Sequence, residues 1–546
     1  MTGCTSRRTF PLFIAFSVLA VAINSSVLNA YFLSDDFALI GSVAKNGFSC
    51  QWYSPGGGGF IRPVTLLSFL LDYRVWGLNP LGFHLSNALL HAANAFMVFS
   101  MMRHLLKFTG DVRGILVPVF AGAFFLVLPS HSEAVTWISG RTDVLSTTFG
   151  LAATLSFLML VERFRWRFLV AFLTCFALSL LSKESAIVWP AIWTLMLVFL
   201  RFQWRDVRRD SIVSLSTSVV LLAAYFIMRK LLIGQLVGGY STDVHLAFLQ
   251  PQTLSNLAAY VLRVFCPPIS FELYSSVDKT AVFVLLGVSL AAVAHRLFSA
   301  RYRLATPQGL LGALLVVAFF VSLFPVLTLS VSVFNTEGER FLYLPSVFAC
   351  SALAVAVALV VHKTKLVITC GLLLAMLGTG ALWRVNERWI TASQMTREIA
   401  RELSKYDPQQ TTIVNLPDNF RGAYVFRIGV IHAATTFQGR EANGVFRILC
   451  THDVQSLSEH FDASIEGEKL RFVPAEGRQV RSIYPGDGEV QWIGDGFIAT
   501  ESTAMKPSRR NVLSYYEGTP TIIIKTLDAE PPRSIVKSSS KQLTTE

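Results

Sequence analysis

Two adjacent carboxylates, Asp35 and Asp36, follow Ser34 directly after the first long apolar run of the chain. Carboxylates are costly to keep ionised beside lipid, so such a pair is either a functional group or a polar stop that caps the next helix. As a functional group it offers general-base chemistry, accepting a proton from a hydroxyl. Three later segments set a cation near a carboxylate: Glu133 with Arg141 and Asp143, Lys183 with Glu184, and Glu339 with Arg340 and Tyr343. One such segment alone reads as a structural ion pair. Four of them on one membrane face read as a polar cavity in which an anionic group sits against Arg or Lys.

The second apolar run adds His84, Asn87, His91 and Asn94, spaced to share one helical face. His84 and His91 lie about 10 Å apart along a helix axis, too far to share a metal ion. They read as hydrogen-bonding glue between helices, with His84 nearest the cavity. Residues 56–59 are four glycines without the Lys-Ser/Thr of a phosphate-binding loop, and read as a flexible lid. Arg62-Pro63 opens a mostly apolar stretch, 64–76, that reads as an interfacial helix; 255–265 is similar. No CxxC or His/Cys ligand set appears, so no metal site is read; a pairing of Cys50 with Cys450 stays open.

What holds these groups is a membrane protein. Of 546 residues 53% are apolar and 15% charged, Phe occurs 42 times, and the net charge is +12. Such a composition excludes a disordered chain, a fibre and a small disulfide scaffold, and it is too apolar for a soluble nucleic-acid binder. Eleven runs are candidate spans: 11–30, 84–106, 115–128, 144–161, 168–181, 185–200, 212–228, 281–295, 310–329, 345–361 and 366–383. Residues 115–128 and 168–181 are short. The first run, behind Arg7 and Arg8, has the look of a signal peptide, but the ten runs after it make it an uncleaved anchor.

Alternate connections hold roughly 17 basic residues against four acidic ones, and the opposite set is nearly balanced. The basic set marks the cytoplasmic side. The N-terminus is then cytoplasmic, Asp35 and Asp36 face outward, and the +12 is an orientation signal. Beyond about Val385 charge rises, and short segments rich in β-branched and aromatic residues (411–416, 424–428, 445–449, 519–526) follow a helical pattern over 389–406. The expected organisation is a mainly α polytopic membrane domain at 1–384, a small extracytoplasmic α/β domain at 385–534, and a disordered tail at 535–546. No repeat of 30–40 residues is visible.

The strings Asp35-Asp36, Arg62-Pro63, His84 to Asn94, Glu133 to Asp143, Ser182-Lys183-Glu184 and Glu339 to Pro345 resemble the transmembrane part of the O-mannosyltransferases that carry tetratricopeptide repeats. Those enzymes are GT-C membrane glycosyltransferases. The resemblance covers about 1–384, and the tail departs from it. It implies a GT-C fold and transfer of a sugar from a polyprenyl-phosphate donor to an acceptor hydroxyl, on a protein or on a glycan or lipid. It also implies Asp35 as base with Asp36 beside it, and Glu133 positioning the acceptor. Arg141, Lys183 and Arg340 are the phosphate candidates, with Arg62, His84, Asp143, Glu184 and Tyr343 around the substrate. No cofactor beyond the lipid-linked donor is required. Metal-dependent oligosaccharyltransferases also place Asp near the first span, which leaves a divalent ion open. The expected setting is a bacterial inner membrane, with lipid and no nucleic acid as partner.

Two other readings compete. A transporter or flippase of a lipid-linked sugar would want charge at the bilayer midplane, where this chain has almost none. A non-catalytic assembly protein would use the tail as its working part.

Overall fold

The computed structural model describes residues 3–49, 59–109, 114–203, 209–236, 250–268, 306–361, 363–441 and 444–456, then the strand segments between 462 and 528. The helices are α1 Gly3–Ile23, α2 Asp35–Asn46, α3 Pro63–Trp76, α4 Pro80–Lys107, α5 Leu116–Leu126, α6 Ser132–Thr136, α7 Arg141–Glu162, α8 Trp166–Leu180, α9 Trp189–Gln203, α10 Arg209–Ile233, α11 Pro251–Arg263, α12 Pro307–Leu323, α13 Tyr343–Val360, α14 Thr364–Leu403 and α15 Val430–Ala434. Ten of the eleven apolar runs are therefore helical; residues 281–295 lie outside the described residues. In hydrocarbon every backbone N–H and C=O must be satisfied within the segment, which long apolar runs achieve only as helices.

Among the described residues seven helices are long and apolar enough to cross a membrane. Leu116–Leu126 and Pro129–Thr136 are apolar together but bent by 53° at the break, as in a broken span or a re-entrant loop. Phe10–Ile23 and Trp166–Leu180 are apolar but shorter. The chain is thus a multi-pass membrane protein, mainly helical. The short runs differ from the expected spans because Pro129 follows the end of one helix and Arg163 and Arg165 precede the other, stopping the pattern before a full bilayer thickness is reached.

Contacts divide the chain into two units. The first comprises Met1–Leu28, Cys50–Val75 and Leu81–Asn386; the second comprises Asn29–Ser49, Trp76–Pro80 and Glu387–Glu546. In the first unit α7 packs along α8 and α13 lies between α5 and α12. Trp189 and Trp193 stack at 6.0 Å within α9, and the Trp193 indole donates to Thr154 at 2.9 Å. A Cβ on Gly150 would run into the Trp189 indole, so α7 and α9 approach only because that side chain is absent. Many apolar side chains point away from this core, among them Val219, Val220 and Ile227 on α10. That is the pattern of lipid-facing surface.

In the second unit β1 (Thr411–Phe420) is the central strand of a mixed sheet. β2 (Ala423–Tyr424) turns back on its end. β3 (Arg447–Val454) and β9 (Asn511–Gly518) flank β1 in parallel, with β6 (Val480–Ile483) and β10 (Thr521–Asp528) antiparallel at the edges. β4 (Asp462–Glu466), β5 (Lys469–Val473), β7 (Val490–Ile493) and β8 (Gly496–Thr500) form a separate antiparallel sheet in the order β4-β5-β8-β7. The last turns of α14 bury Trp389, Ala392, Met395, Ile399 and Leu403, one helical stripe at spacings of three and four. Residues 424–428, expected as a strand, leave the sheet after Tyr424. Cys450 is a buried free thiol against Val414, and Cys50 lies outside the described residues.

Burial on β3 lowers the His452 imidazole to about 3. In the unfolded chain a histidine takes up its proton as pH falls through about 6.5. Between those values the unfolded state binds more protons, so stability is intact above neutrality and is lost as pH falls. The loss at pH 4 is roughly 3 kcal/mol. His452→Leu should flatten this slope, which urea unfolding at pH 7 and pH 4 checks.

Candidate active site

In the first unit, five short elements bring charge together. η-turns of the 3-10 type at Pro129–His131, Glu184–Val188 and Glu339–Leu342 interrupt the helices, with α6 and the first turn of α7 beside them. Gly338, at φ +85, sets the turn before Glu339; a Cβ there would meet the Ser330 carbonyl oxygen at 2.6 Å. The sequence folds into short turns here because Pro129, Ser182 and Gly338 cannot extend the flanking helices without cost.

Arg340 closes on Glu133 twice: its backbone N–H donates to Oε2 and its Nη1 to Oε1, both at 2.8 Å. The guanidinium lies 5.0 Å from the ring centres of Trp137 and Phe341. Glu339 accepts from Arg263 and from the Ser132 hydroxyl at 2.9 Å. Lys183 donates to both oxygens of Asp143 at 2.5 Å and sits 5.2 Å from the Phe341 ring centre. Arg62 donates to Glu184 from Nη2 at 2.8 Å, and Arg229 lies 3.9 Å from the same carboxylate. Arg229 also donates to the Gly59 carbonyl at 2.9 Å.

Arg141 is 1% exposed, and its donors reach Asp72 at 2.5 Å, Asn87 at 2.6 Å and the Phe83 carbonyl at 2.8 Å. It is therefore committed to holding α3, α4 and α7 together. Tyr343 is wholly buried: its hydroxyl meets His91 at 2.8 Å and accepts from Asn94 at 3.0 Å. Asn87 donates to the Val135 and Ile138 carbonyls. The polar face of α4 is thus interhelical glue, as its spacing predicts; His84 on the same helix is buried.

These contacts unite six cations with five carboxylates: Arg62, Arg141, Lys183, Arg229, Arg263 and Arg340 against Asp72, Glu133, Asp143, Glu184 and Glu339. Among the described residues two guanidiniums, Arg62 and Arg229, share the one carboxylate of Glu184. Arg62 and Glu184 are also among its more exposed members, at 18% and 19%. Of the pairs in this network, the Arg62–Glu184 pair is the one an incoming anion can reach with least desolvation, because the others are more deeply buried.

Three of these groups, Asp72, Arg229 and Arg263, were not singled out by sequence reading. Asp72 and Arg229 stand at the ends of apolar runs. Glu339 sat inside a noted string without a role of its own. The signal for Arg263 was the spacing of Asn256, Tyr260 and Arg263 at i, i+4 and i+7 on α11, a buried polar stripe. Asn256 donates to the Leu327 carbonyl, Tyr260 to those of Val326 and Leu329, and Arg263 to that of Ser332. Burial pushes the Tyr260 hydroxyl up, so it stays a donor. Helix α3 exposes Leu67, Leu71 and Val75 along one edge, as an interfacial helix would. Among the described residues no three His, Cys, Asp or Glu side chains group as a metal site.

In the second unit Asp35 and Asp36 open α2 and differ in surroundings. Asp36 is 1% exposed and accepts the Leu33 backbone N–H at 2.9 Å, closing its own turn. Asp35 is half-buried and accepts from the Ser34 hydroxyl at 3.0 Å. Ser34 has φ 43 and ψ −111, a conformation that costs a serine on the order of 1–3 kcal/mol. Asp36 therefore builds the turn, and Asp35 is the carboxylate the turn presents.

No protein-family profile matches the chain. Protein O-mannosyl-transferase Tmtc1 of Drosophila melanogaster is 33% identical over 203 residues, 34% of this chain and 23% of that protein. Human protein O-mannosyl-transferase TMTC3 is 36% identical over 96 residues, 18% of this chain and 10% of that protein. The chain spans less than a quarter of the length of these relatives. Among solved structures, ArnT from Cupriavidus metallidurans bound to undecaprenyl phosphate aligns with a TM-score of 0.45 at 14% identity, covering 80% of this chain and 89% of that one. The archaeal oligosaccharyltransferase AglB from Archaeoglobus fulgidus aligns at 0.42 and 11%, covering 73% and 58%. Over about a third of its length, this chain is thus similar to proteins named protein O-mannosyl-transferases.

Proposed function

We propose that this chain is a membrane glycosyltransferase that moves a sugar, mannose by the resemblance, from a polyprenyl-phosphate carrier to an acceptor hydroxyl. Transfer takes place at the outer face of this multi-pass membrane protein, whose N-terminus is cytoplasmic. The acceptor oxygen loses its proton to Asp35 and attacks the anomeric carbon. The bond from that carbon to the phosphate oxygen breaks, and the polyprenyl phosphate leaves with the electron pair. One in-line displacement inverts the anomeric centre. The departing charge is taken by the guanidiniums of Arg62 and Arg229, with Lys183 and Arg340 in the same network.

The observation that carries this reading is the pair of guanidiniums, Arg62 and Arg229, gathered at the partly exposed Glu184 among the described residues. A phosphate there exchanges with the Glu184 carboxylate for the Nε and Nη2 donors of Arg62, the more exposed of the two guanidiniums. Arg62→Gln should raise the KM for an undecaprenyl-phosphate mannose donor by roughly tenfold or more, the scale of one charge-assisted hydrogen bond, with kcat changed less. An unchanged donor KM in Arg62→Gln and in Arg229→Gln would remove the phosphate from this position.

A further inference from the structure

The tail of this chain has no counterpart in the motifs that link it to its relatives, and the simplest role for it would be to hold an acceptor. Its contacts suggest otherwise. Within the second unit, residues 425–429 are fixed to the end of the central strand: the Val425 N–H donates to the Asp418 carbonyl at 2.8 Å and the Phe426 N–H to that of Pro417 at 3.1 Å. The same five residues grip the turn before Asp35. The Ser34 N–H donates to the Val425 carbonyl at 3.0 Å, and the Ile428 N–H donates to the Ser34 hydroxyl oxygen at 3.4 Å. Gly429, at φ +85, lies so close that a Cβ would come within 2.7 Å of the Ser34 carbonyl oxygen and 3.0 Å of the Phe37 Cβ. Aromatic packing seals the grip, with Phe426 stacked on Phe37 at 6.0 Å and Phe437 edge-on to both Phe32 and Phe37 at 4.9 Å.

Ser34 pays for this arrangement with its backbone. It is one of two non-glycine residues at positive φ among the described residues. Its angles are those of the first central position of a type II′ turn, where glycine is the ordinary choice. A serine held there against its preference points to a use for its hydroxyl. That hydroxyl, oriented by the Ile428 N–H, donates to Oδ1 of Asp35.

We propose that residues 425–429 are a positioning clamp for the base of the transfer reaction. They lock Ser34 so that its hydroxyl holds Oδ1 of Asp35 and leaves Oδ2 to take the acceptor proton. Ser34 and Gly429 are positioning residues, and the C-terminal unit is part of the catalytic apparatus. The inference rests on the assignment of Asp35 as base.

The test uses the full-length protein in detergent with undecaprenyl-phosphate mannose as donor, reading its consumption together with the melting temperature. Ser34→Gly keeps the backbone angles and deletes the hydroxyl. The expected result is a melting temperature equal to or above that of the parent, with kcat lowered ten- to hundredfold and donor KM unchanged. Gly429→Ala should lower kcat through the displaced Ser34 and should lower the melting temperature as well. Wild-type kcat in Ser34→Gly overturns the clamp, as does a kcat that falls only in step with the melting temperature in both variants. Asp35→Asn separates the two levels of the argument. If it stays active, the base assignment fails and the clamp with it; if it is inactive while Ser34→Gly and Gly429→Ala turn over normally, the clamp alone is wrong.

Discussion

Asp35→Asn should lower sugar transfer from a polyprenyl-phosphate donor by about 10²- to 10⁴-fold, the range expected when a general base is removed. The protein should remain folded, because Asp35 is half-buried and its bond from Ser34 can be accepted equally by an amide oxygen. Asp36→Ala should behave differently. Asp36 is buried and satisfies the Leu33 N–H, so its loss is expected to cost about 1–2 kcal/mol of stability and to reduce activity through the turn. Activity and melting temperature measured together on the two variants separate the roles: the Asp35 variant is stable and inactive, the Asp36 variant destabilised. Reversed phenotypes would exchange the assignments.

Arg263→Met should be the most destabilising single change in the charged network. Arg263 and Glu339 are both wholly buried, and the substitution removes the guanidinium from a buried ionised carboxylate and strips donors from the Ser332 and Cys266 carbonyls. Breaking one side of a buried pair costs about 3–5 kcal/mol. Arg263→Met combined with Glu339→Met removes both charges and should recover most of that loss, since apolar replacement of a whole buried pair is often nearly neutral. Denaturation in detergent of the parent, the single and the double variants checks this. A double variant as unstable as the single one would mean that Arg263 acts mainly through the carbonyls of the 326–332 loop.

The helices and much of the charged constellation were legible in the sequence, because both are local. Ten of eleven apolar runs form helices since a long apolar segment has no other way to satisfy its backbone in lipid. The pairing of the charges was not legible. Glu133 and Arg340 are separated by 207 residues and Arg62 and Glu184 by 122, and only tertiary packing decides which cation meets which carboxylate. Arg141 is the instructive case. In sequence it stands level with Lys183 and Arg340 as a phosphate candidate, yet Asp72, Asn87 and the Phe83 carbonyl use it fully.

The surroundings of Asp35 were equally hidden. Residues 29–49 precede all the spans but the first, and they group with residues beyond 386. Phe32 and Phe37 meet Phe426 and Phe437 across about 400 positions, and no periodicity records such a meeting. The strained Ser34 leaves no mark in the sequence either, since a serine before two aspartates reads as an ordinary helix cap.

The most direct measurement reconstitutes the full-length protein in liposomes with undecaprenyl-phosphate mannose labelled in the sugar and follows the phosphate product. Cleavage of the bond between sugar and phosphate, with free undecaprenyl phosphate accumulating for the parent and not for Asp35→Asn, is the predicted result. Movement of intact donor between leaflets with that bond unbroken would contradict the account and make the protein a carrier of the lipid-linked sugar.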